Sequence, residues 1–170
     1  MKYLFKSQKN HRFAHMGDIK YEARKFNQKS YDNNDSYAKQ KFIDFIKHKG
    51  HSIISSDENY DHDIITKKDG VRHYFELEVK RNYPFTSRDT FKFDTVSFLG
   101  RKLRLHTKQI FYYVIICIET EWAVCCNSGD IFHDEYVENL KIQTQDRSGK
   151  DQMYRVPKDK CLFFNINYRG

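Results

Sequence analysis

Between residues 36 and 49 the apolar positions Ala38, Phe42, Ile43, Phe45 and Ile46 recur three and four apart, the period of one helix face. Asp35 or Ser36 can cap the start of this predicted helix. Lys47, His48 and Lys49 fall in its last turn, where cations suit the dipole. Gly50 stops it as the residue after the C-cap. Strand patterns follow. His51 to Ser55 reads as a short buried strand, Asp61 to Thr66 as a second and Val71 to Arg81 as a third. Lys68-Asp69-Gly70 between the last two predicts a hairpin, because glycine tolerates positive φ. Residues 82 to 109 are mixed, with an alternation at Phe91, Phe93, Thr95 and Ser97. A basic patch comes next: Arg101, Lys102, Arg104, His106 and Lys108. Ile110 to Glu119 is the strongest core strand, and Glu121 to Cys126 continues after a tight turn. His133 to Leu140 predicts a short helix, and Val156 to Asn167 a closing strand.

Residues 1–34 have poor periodicity and read as a basic N-terminal arm, with a short helix near residues 18 to 28. They carry eight Lys/Arg against three Asp/Glu, so most of the chain's formal +7 lies there. Residues 35–170 read as one domain, a length that buries a core without staples. Aromatics make up 16% of the chain, which excludes a wholly disordered polypeptide. The longest apolar run, Ile110 to Ile118, is too short to span a bilayer, and no signal-peptide pattern follows Met1. A pI near 9.1 favours a polyanionic partner. The four cysteines form no C-x-x-C pair, and adjacent Cys125 and Cys126 in a strand point to opposite faces. A reduced, cytoplasmic compartment is the expectation. Richness in Lys, Asn, Tyr and Phe suggests an AT-rich genome such as that of a phage.

Candidate chemistry gathers in Asp61-His62-Asp63-Ile64-Ile65 and Phe75-Glu76-Leu77-Glu78-Val79-Lys80. Residues two apart on a strand share a face, so Glu76, Glu78 and Lys80 form one row, and Asp61 and Asp63 another. A hairpin brings the rows together. Packed carboxylates repel unless a cation lies between them, and hard ions such as Mg²⁺ suit their oxygens. The same pattern also describes an ordinary charged strand face with cross-strand pairing. A two-residue turn at Asp69-Gly70 sets Asp63 opposite Glu76 and Asp61 opposite Glu78, so a bulge or offset is needed to bring Asp63 near Glu78. Asp61 and Glu76 remain alternatives.

The order of a capped helix, Asp63-Ile64-Ile65, a glycine turn and Glu78-Val79-Lys80 resembles the PD-(D/E)xK nuclease superfamily, closest to its small phage endonucleases and Holliday-junction resolvases. His62 stands where that family usually has Pro, and Gln40 where its first helix often has Glu. The resemblance implies an α/β fold with a central mixed β-sheet flanked by helices, the restriction-endonuclease-like core. It implies a divalent-metal-dependent endodeoxyribonuclease, with Asp63, Glu78 and the Val79 carbonyl binding Mg²⁺ or Mn²⁺. Lys80 would position the attacking water, and Gln40 would hold a water or the lysine. Arg81, Arg101, Lys102 and Arg104 are expected to contact phosphates. Cutting both DNA strands usually needs two sites, so a homodimer or higher symmetric assembly is expected. An inactive nucleic-acid-binding module and an RNA endonuclease are the alternatives.

Overall fold

The computed structural model describes residues 28–57, 62–144 and 147–167, with side chains described from residue 35 onward except in 140–151. The expected arm helix near residues 18 to 28 and the candidate Asp61 lie outside the described residues. The fold is α/β: a six-stranded mixed sheet, a three-stranded antiparallel sheet and few helices.

Helix α1 spans Gln28–His48. It starts before Asp35 and Ser36, so those residues lie inside it and do not cap it. Its end matches the expectation. Gly50 has φ +88°; its N–H donates to the Lys47 carbonyl, and the His51 N–H to the Ile46 carbonyl, at 3.0 and 3.1 Å. This is the Schellman closure that a left-handed residue permits. The buried stripe Ala38, Phe42, Ile43 and Ile46 packs α1 on one face of the large sheet, against Ile64, Phe75, Val114, Ile116 and Ala123.

The large sheet is built from β1 (Ser52–Ser55), β2 (Ile64–Lys68), β3 (Val71–Lys80), β5 (Tyr112–Cys117), β6 (Trp122–Asn127) and β9 (Leu162–Asn165), in that spatial order. β1 is an edge strand with Ile54 47% exposed, which corrects the expectation of a buried strand. Its apolar pair has a partner on one side only. The β2–β3 turn is the predicted one. Asp69 and Gly70 have φ of +50° and +81°, the left-handed pair required by a two-residue type I′ hairpin. Lys68 pairs with Val71 and Ile64 with Phe75, so the register continues to Asp63 opposite Glu76. β3 and β5 are parallel, which requires a long crossover. Residues 81–111 supply it.

The crossover holds β4 (Thr95–Leu99), a 3₁₀ turn at Gly100–Lys102 and the short helix α2 (Leu103–His106). β4 joins β8 (Arg147–Pro157) and β7 (Val137–Thr144) in the small sheet, in the order β4-β8-β7. A second apolar core lies there, built on Phe98, Phe111, Tyr113, Ile115, Val124 and Val156. Thus α1 covers one face of the large sheet, while strands and short helical turns cover the other. A fold flanked by helices on both sides would have looked different. The expected helix at His133 to Leu140 is instead a 3₁₀ turn at Asp134–Tyr136 running into β7. Pairing with β8 over eight residue pairs overrides weak local helical preference. A further short helix, α3 (Ser128–Ile131), follows β6 with Asn127 as its cap, the Asn127 Oδ1 accepting from the Gly129 N–H at 2.8 Å. Cys126 lies in the core on one face of the sheet and Cys125 borders the other, as strand alternation predicts. All four cysteines are free thiols. Among the described residues no helix is long and apolar enough to cross a membrane.

Candidate carboxylate site

Alternation along β3 sends Phe75, Leu77 and Val79 toward the α1 core and puts Tyr74, Glu76, Glu78 and Lys80 on the opposite face. Asp63, one residue before β2, shares that face through its register with Glu76. The two are tied together directly. The Asp63 N–H donates to Glu76 Oε1 at 3.3 Å, and the Leu77 N–H donates to Asp63 Oδ2 at 2.8 Å.

Glu76 is 1% exposed, a setting in which a lone charge is costly. Lys102 supplies its counter-charge, the ammonium bonding Oε2. His62 Nδ1 lies 3.3 Å from Oε1 but outside hydrogen-bond alignment, so the contact is close and polar without being a good bond. The imidazole is held between the rings of Tyr74 and Phe111, with centroids 5.1 and 5.3 Å away. Burial pushes Glu76 upward, but His62 and Lys102 together outweigh it and hold the carboxyl below its ordinary value. Asp63 goes the other way. Burial, then repulsion from Glu76, raises it, against the Leu77 bond and the charges of Lys102 and Lys39. Two adjacent carboxyls pushed in opposite directions are what a shared, partly dry site produces.

Glu78 stands two residues further along. It forms an ion pair with Lys80 and accepts a 2.8 Å bond from the Tyr113 hydroxyl at its Oε2. Tyr113 is fully buried; desolvation and the Glu78 charge push its phenol far above the usual range, so it stays a neutral donor.

The structure gathers Asp63, Glu76, Glu78 and Lys80 on one face. It does not bring Gln40 to them: Gln40 is exposed and donates to Asp44 at 3.0 Å. Lys39, its neighbour, is the α1 side chain whose charge reaches Asp63. Val79 places its side chain in the α1 core and its backbone between Glu78 and Lys80. Arg101 and Arg104 are exposed on the turn and on α2, as a phosphate contact requires. Lys102 is turned inward to Glu76, so its ammonium is engaged in an internal pair. Arg81 is exposed at the end of β3, with its charge acting on Glu119.

Three participants escaped the pattern reading. His62 precedes β2 (Ile64–Lys68), where strand alternation does not fix the side it faces. Lys102 stands 26 residues from Glu76 and Tyr113 35 residues from Glu78. Only the crossover and the parallel β3–β5 register bring them in, and no local spacing encodes that.

Mg²⁺ takes one or two protein carboxylates and fills the rest of its octahedron with water and phosphate. Asp63 and Glu78 are diagonal neighbours across the hairpin, a relation that places Cα atoms about 7–8 Å apart. The register is regular from Lys68 to Ile64, without the bulge expected to set Asp63 beside Glu78, so an ion held by both would lie between diagonal carboxylates. Glu76, between them, is already neutralised by Lys102. The donor chemistry therefore fits a two-carboxylate site. Among the described residues there is no group of three or more His, Cys, Asp or Glu side chains poised to hold a metal. Comparison of the chain with protein-family models, curated proteins and solved structures gives no match.

Proposed function

We propose that the protein is a divalent-metal-dependent endodeoxyribonuclease of the PD-(D/E)xK type, with its central mixed sheet serving as a restriction-endonuclease-like core. The observation that carries the reading is the convergence of Asp63, Glu78 and Lys80 on one face of a hairpin. Tyr113 fixes the orientation of Glu78 there, and the exposed Arg101 and Arg104 follow on the crossover. Asp63, Glu78 and the Val79 carbonyl would hold Mg²⁺ or Mn²⁺. Such an ion polarises a phosphoryl oxygen and lowers the pKa of bound water. Lys80, beside Glu78, positions that water and offsets charge growing on the phosphoryl group. Arg81, Arg101 and Arg104 contact the DNA backbone and contribute affinity independent of sequence. Lys102 holds Glu76 as a neutral internal pair, which keeps a third negative charge out of the site.

The test is plasmid DNA incubated with Mg²⁺, with EDTA as control. The parent protein nicks or linearises the plasmid only with the metal. Glu78→Ala and Lys80→Ala reduce the rate at least about a hundredfold, the scale of losing a water-positioning or charge-stabilising group. Parental rates in both variants would dismiss the reading. A second reading, a nucleic-acid-binding module of the same fold without cleavage, is favoured by Gln40, which bonds Asp44 and brings no acid from α1. It predicts retardation of the plasmid without cutting. An RNA endonuclease would show itself by preferential cleavage of RNA in competition. Symmetric cutting of both strands calls for two copies, so sedimentation with DNA is expected to show a dimer or larger assembly.

A further inference from the structure

On the α1 face of the large sheet, away from the carboxylates, α1 leaves one end of the strands uncovered. The result is an open groove of about 900 Å³. Its floor is apolar: Phe75, Tyr112, Val114 and Phe164 from three strands, with Phe45 of α1 as a wall. Leu162, on the far lip, is 63% exposed and Val71, on the near lip, 58%. Soluble proteins seldom leave a contiguous apolar surface of this kind without a use for it. The volume lies within the range of about 300–1,000 Å³ typical of small-molecule sites.

The rim decides what fits. Lys49 lies over the Phe45 ring with its ammonium 5.6 Å from the centroid. Lys68, the last residue of β2, borders the same end, as do His51 and His73, whose rings meet edge to face at 5.1 Å. Among the described residues that line it, two lysines stand against one acid, Asp69. Burial first, then the charges of His73 and Lys68 against that of Asp69, hold the His51 pKa below its ordinary value. The two rim lysines argue against two occupants from this chain. A second copy carries a formal +7, and residues 1–27 hold seven Lys/Arg against two Asp/Glu, so either would bring cations to a cationic rim.

We propose that this groove binds a single-chain amphiphile with an anionic head. The hydrocarbon would lie along Phe75, Tyr112, Val114 and Phe164, and the head group beside Lys49 and Lys68. The site is on the sheet face opposite Glu78 and Lys80, so it stands or falls independently of the nuclease reading.

Dodecanoate titrated into the full chain below its micellar concentration is expected to bind saturably at one molecule per chain, read by isothermal titration calorimetry. 1-Dodecanol is expected to bind about tenfold more weakly, the scale of a partly exposed charge pair. The double variant Lys49→Glu/Lys68→Glu should lose about the same factor for dodecanoate and nothing for dodecanol. Leu162→Asp, on an exposed lip, should weaken both ligands while circular dichroism stays parental. Four results overturn the proposal: no saturable binding of dodecanoate, equal affinity for dodecanol, displacement of dodecanoate by a single-stranded oligonucleotide, or a dimer that Leu162→Asp converts to monomer. The last two would assign the groove to nucleic acid or to a second copy.

Discussion

Replacing Lys102 with methionine removes the ammonium from a carboxylate that is 1% exposed and leaves the methylene stem in place. Stranding one partner of a buried pair costs about 3–5 kcal/mol. Two features lower the figure here. The Lys102 side chain is 21% exposed, so the pair is not fully dry, and His62 Nδ1 remains 3.3 Å from the other oxygen of Glu76. A loss of about 2–4 kcal/mol is expected. For a domain of this size that is a fall in Tm of about 5–15 °C. Urea denaturation at pH 7, followed by far-UV circular dichroism, reads it as a lower midpoint with an unchanged slope. Adding Glu76→Gln removes the stranded charge and keeps an acceptor for the Asp63 N–H, so the double variant should recover most of the loss. The sign with pH is fixed as well. Glu76 is held below its ordinary value in the fold. Its ionised form therefore adds stability above the unfolded pKa, and that contribution disappears as pH falls through the folded pKa. The gap between parent and Lys102→Met should accordingly close on acidification below the ordinary glutamate value. The reasoning fails if Lys102→Met is within about 1 kcal/mol of the parent at pH 7, or if the double variant is no better than the single.

Tyr113→Phe removes the hydroxyl that donates to Glu78 at 2.8 Å. It should cost about 1.5–3 kcal/mol in urea unfolding, as for other bonds to a charged acceptor, and slow metal-dependent cleavage by loosening Glu78. In an NMR titration His51 should show its midpoint below 6.5, because burial, His73 and Lys68 all disfavour its charged form. Replacing His73 with phenylalanine should raise that midpoint, and stability should fall as pH is lowered through 6.5, where the unfolded chain takes up the proton first. Gly70→Ala places a Cβ at φ +81° and should destabilise the β2–β3 hairpin by about 1 kcal/mol, measured by chemical denaturation.

Much of the site's frame was legible locally. The helix stripe Ala38 to Ile46, the stop at Gly50 and the Asp69-Gly70 turn each follow from nearest-neighbour stereochemistry. The turn then fixed which acids meet: counting from Lys68 and Val71 puts Asp63 opposite Glu76, the pairing found in the structure. What was not legible depends on distant chain. In β7 the apolar residues Val137, Leu140 and Ile142 keep no unbroken two-residue alternation, and pairing with the distant β8 displaced the short helix expected at His133 to Leu140. The edge position of β1 depends on how many strands precede it in the sheet, which the pair Ile53-Ile54 cannot encode. Lys102 looked like part of a phosphate-binding patch because Arg101 and Arg104 flank it. The 3₁₀ turn at Gly100–Lys102 points its neighbours to solvent and the lysine inward to Glu76. Gln40 sat at a plausible spacing on α1, yet the helix turns that position outward.

The central claim is that carboxylates from two adjoining strands hold a hard dication where DNA can reach it. The most direct measurement is anomalous diffraction from a crystal soaked in Mn²⁺, collected at the manganese edge. The account predicts one strong peak coordinated by Asp63 and Glu78 at roughly 2.0–2.3 Å, lost in Glu78→Ala crystals. An empty map at full soak, with Glu78 still paired to Lys80 and bonded to Tyr113, would contradict it.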